Sequence, residues 1–470
     1  MPDELYRMSA VDIARNIRNG KLQLGEIVEY FLNRIRTYNE KFGVFISLAE
    51  SIDMKENAPF PVPYALKDNI LALGTKTTCG SRILENYHSP YDATVTMRLK
   101  EAGAVLLGKT NMDEFAMGST TEFSAFFVTR NPWNIEKVPG GSSGGSAVAV
   151  ATGMVPFALG SDTGGSIRLP ASFCGVVGFK PTYGLVSRYG LVAFGSSLDQ
   201  IGPIAKTVED CAFVTSIIAG YDPKDSTTSK KRVDFLNGLN DSIKGVRIAY
   251  PRNLLEYEAL DADVRDAFFE SLKMLEQAGC EVKPVEMPLL EKSVAVYYII
   301  APGEASSNLA RYDGVRYGLR VQEEGLDATY HGTREIGFGE EVKRRILMGT
   351  FTLSATYYEA YYDRALKVRR LIANELNDVL SESDLIMLPT SPVKPYNIGE
   401  LQSPLTYYLM DIYTIPANLA GLPAVSVPAC LSDGLPVGVQ FMGKRYSDPL
   451  VLRVAHNFEK LRGEFPLPQI

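Results

Sequence analysis

The first forty residues carry their apolar positions at helical spacing. Ile27, Val28, Phe31, Leu32 and Ile35 recur every three to four places, the period of one buried helix face. A shorter helix is predicted ahead of it, with Ser9 as N-cap, Asp12 in the first turn and Gly20 as the stop. Short apolar runs then alternate with amphipathic stretches. The runs are GVFISLA, VPYAL, AVLLG, VPFALG, GVRIAY, CEVKPV, LIMLP, AVSVPA and PVGVQFM. Val264, Phe268, Leu272 and Leu275 mark a helix between two of them. This alternation predicts an α/β protein whose sheet is covered by helices on both faces. A long helix is predicted over about 353–380, with Tyr357, Tyr361, Val368 and Ile372 on one side. A closing helix runs from Asp448, as cap, to Gly463, as stop. The most linker-like segment, 221–234, is short and reads as a surface excursion. The pattern predicts one compact unit over 1–470.

Composition narrows the class. With 470 residues, 46% hydrophobic and 22% charged, the chain can bury a large core. A net charge of −7 argues against a broad nucleic-acid-binding face. Five cysteines, an odd number with no C-x-x-C pair, predict free thiols in a reducing compartment and no zinc site. The N-terminal stretch MPDELYRMSAVDIARNIRNG is charged and has no apolar signal core, and no apolar run is long enough to span a bilayer. The expectation is a cytoplasmic protein without a membrane partner.

Two glycine loops hold the candidate chemistry. The first, VPGGSSGGSAVAVATGM at 138–154, contains Ser142 and Ser143; the second, SDTGGSIRLP, contains Ser166. A phosphate cradle fits the first poorly, because it lacks the Lys-Ser/Thr ending of a P-loop and no strand precedes it. Gly140-x-Ser142-x-Gly144 matches a nucleophile elbow formally, as does Gly141-x-Ser143-x-Gly145. Such a serine needs a feeding strand and a histidine base. The three histidines, His88, His331 and His456, stand in contexts that suit surface or core positions better. Lysine is the other base available, since desolvation favours its neutral amine. Lys67 ends the strand-like run PVPYALK, where open α/β sheets place their ligands. Taken alone, it also fits a snorkelling strand-end lysine. Asp68 would oppose a lowered lysine pKa, unless strand alternation turns it away from the site.

The second loop reads as strand, tight turn and helix. Thr163, Gly164 and Gly165 can turn backbone N–H groups toward one point and form an oxyanion hole. Ser166 is then the candidate nucleophile, with Asp162 and Arg168 fixing the turn. An ordinary helix N-cap is the plain alternative for Ser166.

Lys67 in KDN, Ser142 in GGSSGG and Ser166 in GSDTGGSIR together resemble the amidase signature family, over essentially the whole chain. The signature spans about 138–180, within a core of about 60–210. The resemblance implies the family's fold, a large mixed β-sheet between helical layers, and a Ser–cis-Ser–Lys triad of Ser166, Ser142 and Lys67. In the family the first serine of SSGG follows a cis peptide bond; Ser143 would be structural. TRNPWNIEKVPGGSSGGSA, VSRYGLVAFGSSLDQIGPIAKTVEDCA, EASSNLARYDGVRYG and DIYTIPANLAGLPAVSVP are similar to the glutaminase subunits of tRNA-dependent amidotransferases. That likeness implies glutamine hydrolysis through a γ-glutamyl-enzyme, with ammonia passed on inside a heterotrimer completed by amidotransferase subunits B and C. The first of these partners would use ATP and Mg to activate the carboxyl group of mischarged Glu-tRNA(Gln) or Asp-tRNA(Asn) and then amidate it. The second would clasp the other two, mischarged tRNA being met mainly by the ATP-using partner. No cofactor and no metal would belong to this chain. Arg345, or its neighbour Arg344, would meet the α-carboxylate of glutamine, and Asp411 its amine. Met117, Gly118 and Ser119 would line the pocket with Tyr297 or Tyr298. Leu169 departs from the glutamine that many such proteins carry after GGSIR, which removes a supporting hydrogen bond. A free-standing amidase for another small amide, or a non-catalytic scaffold that binds glutamine or a nucleotide, are the alternatives. Retention of all three triad positions speaks against the scaffold.

Overall fold

A computed structural model of the chain describes residues 4–55, 58–257, 259–400 and 403–470. Eleven strands form one mixed sheet. They are β1 (Phe45–Leu48), β2 (Pro63–Lys67), β3 (Val105–Thr110), β4 (Phe157–Asp162), β5 (Val177–Lys180), β6 (Gln200–Ala205), β7 (Arg247–Pro251), β8 (Glu281–Val285), β9 (Leu385–Pro389), β10 (Ala424–Ser432) and β11 (Leu435–Gly443). Their spatial order is β1-β3-β2-β4-β6-β5-β10-β11-β9-β7-β8. β2 runs parallel to both β3 and β4, whereas β6 is antiparallel to β4 and β5. Both β2 and β4 are buried along their whole length, the mark of strands with helices over each face. The edge strands differ. β8 is largely exposed and carries Glu281, Lys283 and Pro284, which discourage a further strand from pairing.

Helices Val208–Ile218, Ala262–Gln277 and Asp448–Arg462 pack together as one layer, and Gly144–Ala151 with Arg168–Cys174 belong to the other. The N-terminal reading holds: Ser9 caps Ala10–Arg18 by accepting from Asp12 N, and Leu24–Phe42 buries Ile27, Val28, Phe31, Leu32 and Ile35. All nine apolar runs are strands. Two strands carry no such run, because β5 and β6 are interrupted by Gly178, Gly202 and Pro203. Those glycines are needed. A Cβ on Gly178 would lie 2.7 Å from Ile167 O, so only glycine lets the helix after Ser166 settle on the sheet.

The long helix expected over 353–380 is divided. Helix Glu340–Leu353 ends where Ser354 turns extended, a π-helical turn covers Glu359–Asp363, and Arg364–Glu382 resumes as α-helix. Tyr357 and Tyr361 therefore lie outside the helix that buries Ile372. At the closing helix Ser447 holds the cap position and Asp448 is the first helical residue. The Asp448 carboxylate accepts instead from Thr182 N at 2.8 Å and Thr182 Oγ1 at 2.6 Å, tying the helix to the loop after β5.

One buried ion pair joins distant elements. Arg168 donates to both oxygens of Asp162 at 3.1 Å, to Gln440 Oε1 of β11 at 2.9 Å and to Asn418 Oδ1 at 2.7 Å, with Arg168 and Asp162 fully buried. Burial alone would raise the Asp162 pKa, but Arg168, Lys180 and Asn418 together bring it down to about 2. Its unfolded value is about 3.9. The pair's contribution is therefore complete above pH about 4 and is lost as the pH falls toward 2. Arg168→Met leaves the carboxylate buried and unpaired, and denaturant unfolding at neutral pH is expected to show a loss of about 3–5 kcal/mol. An unchanged midpoint would contradict this account of the turn.

Candidate active site

Lys67 closes β2 and is fully buried. Its Nζ donates to Ser142 Oγ at 2.7 Å and to Ser161 O at 3.3 Å. Asp68 points elsewhere: its carboxylate accepts from Thr78 N at 2.8 Å and sits 3.1 Å from Lys109 Nζ. Burial lowers the Lys67 pKa to about 7, against the opposing pull of Asp113, Asp162 and Asp199. An amine in that range is substantially neutral at neutral pH and can accept a proton.

The Gly141–Ser142 peptide is cis. Ser143 serves the scaffold: its N–H donates to Ser166 O at 3.1 Å and its hydroxyl to Ser161 O at 3.2 Å. The loop is held from outside by Thr121, whose hydroxyl donates to Gly140 O at 2.9 Å and accepts from Gly144 N at 3.1 Å. Ser166 lies between β4 and helix Arg168–Cys174, 8% exposed, and Ile167 rather than Ser166 takes the cap position. Among the described residues the Ser142 and Ser166 hydroxyls share no direct hydrogen bond; the Ser143 N–H to Ser166 O contact joins the two loops.

The turn before Ser166 is fixed from three sides. Thr163 Oγ1 donates to Asp199 Oδ1 at 2.6 Å, and Thr414 Oγ1 donates to Gly164 O at 2.6 Å. A Cβ on Gly164 would lie 2.8 Å from Tyr297 Cζ, and Gly165 has φ +139°, a glycine conformation. Among the described residues, the N–H groups of Thr163, Gly164 and Gly165 donate to no protein acceptor. Free backbone donors beside a serine hydroxyl can stabilise a developing oxyanion.

Two buried opposite charges face one tyrosine nearby. Arg345 is 2% exposed; its Nε donates to Glu341 Oε1 at 2.8 Å, and its buried Nη2 has no partner among the described residues. Arg344 is instead partly exposed, paired to the other oxygen of Glu341. The Arg345 guanidinium lies 5.1 Å from the Tyr298 ring centroid, and Tyr298 Oη donates to Asp411 Oδ2 at 3.4 Å. Asp411 also accepts from Ser119 Oγ at 2.7 Å, and burial pushes its carboxyl up to about 7. Tyr298 thus touches the charged pair while Tyr297 covers the glycine turn, their rings meeting edge-on at 5.0 Å. Met117 and Gly118 are buried on the loop that carries Ser119. Leu169 is buried in a small apolar cluster with Val138, Phe173, Tyr396 and Met410, and so has packing where a glutamine would have hydrogen-bonded.

The histidines lie apart from this arrangement. His88 pairs with Glu50 at the surface, His331 is exposed, and His456 contacts Asn240 and Glu459 on the closing helix. Sequence reasoning missed Asp113, Asp199, Glu341 and Thr414. Asp199 and Thr414 lie inside stretches that carry the family likeness, but nothing there sets them apart, and the contacts of all four arise from the tertiary structure. Among the described residues no group of His, Cys, Asp and Glu is placed to hold a metal ion, and no helix is long and apolar enough to cross a membrane.

A buried lysine amine is bonded to one serine, with a second serine on a nearby turn of free N–H donors and no histidine close by, an arrangement suited to acyl transfer. The chain belongs to the amidase family, whose model matches residues 26–452. It is 59% identical to the A component of Glutamyl-tRNA(Gln) amidotransferase from Thermotoga maritima over 445 residues, 93% of this chain and 94% of that one. The crystal structure of the Thermotoga maritima A component superposes with a TM-score of 0.86 and 52% identity, covering 99% of this chain and 98% of that one. Native peptide amidase from Stenotrophomonas maltophilia has a TM-score of 0.82 and 28% identity, with 99% of each chain covered.

Close approach at the turn gives a structural expectation. A Cβ on Gly165 would overlap the Thr414 side chain, so Gly165→Ala has to displace either Thr414 or the turn. Thermal and denaturant unfolding are expected to register a loss of about 1–3 kcal/mol. Full wild-type stability would show that the turn is not packed as described.

Proposed function

We propose that the chain is the glutamine-hydrolysing member of a tRNA-dependent amidotransferase, the whole of 1–470 forming one amidase unit. The observation that carries the reading is the Lys67–Ser142 hydrogen bond of 2.7 Å, fully buried, in a site flanked by buried Arg345 and Asp411. The identity to the A component of Glutamyl-tRNA(Gln) amidotransferase supplies the substrate class.

In this reading neutral Lys67 takes the proton of Ser142, which takes that of Ser166, and Ser166 Oγ attacks the side-chain carbonyl of glutamine. The N–H groups of Thr163, Gly164 and Gly165 receive the oxyanion. The proton returns through Ser142 to the leaving nitrogen as the C–N bond breaks, releasing ammonia and leaving a γ-glutamyl ester on Ser166. Water attacks that ester, glutamate departs, and Ser166 regains its proton. Arg345 offers a guanidinium to the α-carboxylate, a pairing its partnerless Nη2 suits. Asp411, with Ser119, meets the α-amine, and Met117, Gly118 and Tyr297 close the pocket. Ammonia then passes to the partner that uses ATP and Mg to amidate mischarged Glu-tRNA(Gln), or Asp-tRNA(Asn). A third, clasping partner holds the cytoplasmic heterotrimer together.

The test is glutamine hydrolysis by the purified chain, with and without subunits B and C. Activity is expected to rise with pH through about 7 as Lys67 loses its proton. Ser166→Ala and Lys67→Ala are expected to lose about 10³-fold or more while remaining folded. Lys67→Arg is not expected to recover activity, because guanidinium keeps its proton. A variant lacking His88, His331 and His456 should retain the chemistry. A dead histidine variant beside an active Lys67→Ala would overturn the relay.

Substrate selection has its own readout. Arg345→Ala and Asp411→Ala each remove a charge-assisted contact of about 1.5–3 kcal/mol, a roughly 10- to 100-fold rise in KM for glutamine. Hydrolysis of an amide without the α-carboxylate and α-amine should change far less. Equal losses on both substrates would refute the clamp.

A further inference from the structure

Asp113 follows β3, and nothing in its sequence context marks it. It is fully buried, and its carboxylate accepts from Thr120 N at 3.3 Å, Thr121 N at 2.9 Å and Phe123 N at 3.2 Å. The chain wraps around it, with Phe115, Ala116 and Thr121 at φ +50°, +62° and +61°. Gly118 and Gly141 press so close that a Cβ on either would overlap the carboxylate. Asp113 N donates to Ser142 O at 3.3 Å, while Ser119 on the same loop reaches Asp411. Thr121, whose N–H Asp113 fixes, holds the serine loop on both sides of Ser142 and Ser143. One carboxylate therefore organises two walls of the site.

Its charge is also poorly compensated. The charged and titratable groups whose fields act on Lys67 include Asp113, Asp162, Asp199 and Cys79. Asp162 is neutralised by Arg168, Asp199 rests on Thr163 and the N–H groups of Phe194 and Gly195, and burial keeps the Cys79 thiol protonated. Asp68 is turned to Lys109. Asp113 accepts from neutral N–H groups of its own loop. Burial raises its carboxyl to about 6, so that it is still ionised where Lys67 loses its proton, and the charged groups acting on it include Lys67 and Glu122. Its field falls on the lysine.

We infer that Asp113 is a positioning residue that sets Ser142 against Lys67 and Ser119 against Asp411 at once, and that its negative charge sets the pH at which the serine relay becomes active. This rests on the relay proposed above. Removing the charge makes the ammonium form of Lys67 less favourable, so the acid limb of reactivity moves to lower pH.

The experiment follows labelling of Ser166 by a small neutral sulfonyl fluoride as a function of pH, and KM for glutamine, in the full-length chain. Asp113→Asn and the smaller acceptor Asp113→Ser are compared with Ser119→Ala, folding being checked by circular dichroism and melting. Both Asp113 variants are expected to move the acid limb down by about one pH unit and to raise KM about tenfold or more. Ser119→Ala should raise KM and leave the limb in place. The inference is overturned if a folded Asp113 variant keeps the wild-type limb. It is equally overturned if neither variant folds, since Asp113 would then be a residue of the core. Wild-type protein that labels elsewhere than Ser166 would refute the relay itself, and this inference with it.

Discussion

Everything at this site depends on keeping one amine dry. A lysine in water is almost wholly protonated at neutral pH and is no base; deprived of solvent, its charged form becomes costly enough for the neutral form to compete. Lys67 meets that condition at the end of β2, flanked by β3 and β4 and fully buried. The surrounding carboxylates work against it. Asp68 is taken up by Lys109, Asp162 by Arg168, and Asp199 by hydroxyl and backbone donors. Dispersing those charges among other partners leaves Asp113 as the main opposing carboxylate, desolvation still prevails, and Lys67 holds Ser142 at 2.7 Å.

The glycines follow from the same crowding. Gly141 and Gly118 admit the Asp113 carboxylate, Gly164 admits Tyr297, Gly165 admits Thr414, and Gly178 admits the helix after Ser166. Each brings backbone or a polar group into a space that a Cβ would occupy. Long-range contacts then lock the assembly: Arg168 reaches Gln440 and Asn418, and Thr414 bridges Gly164 O and Asp411 O. Residues from both halves of the chain therefore share one rigid floor, and the charged pair Arg345 and Asp411 is carried on elements that the floor positions.

Much of this was legible in the residues. The strand runs and the first helices were readable because their apolar periods are strong. β5 and β6 were not, since glycine and proline erase the alternation where the nearby helix needs room. The helix expected over 353–380 failed because an unbroken apolar period does not reveal the extended Ser354 or the π-helical turn after it. The two serine loops and Lys67 stood out by motif, as did the Asp162–Arg168 turn. Between Arg344 and Arg345 the sequence offers no choice, whereas burial singles out Arg345. Tyr297 and Tyr298 divide similarly, one against the turn and one against the charges. Asp113 lies outside the stretches that carry the likeness, and Asp199 and Thr414 lie inside two of them without standing out; their importance lies in which distant groups they touch.

The central claim is that Ser166 carries the acyl group and that a neutral lysine, not a histidine, activates it. Acid quenching of the enzyme during glutamine turnover, followed by intact-mass analysis and peptide mapping, tests this most directly. The account predicts a mass gain of one γ-glutamyl group, confined to the peptide containing Ser166 and absent when Lys67 is replaced by alanine. An adduct on Ser142, Ser143 or a cysteine, or turnover without any adduct on Ser166, would contradict it.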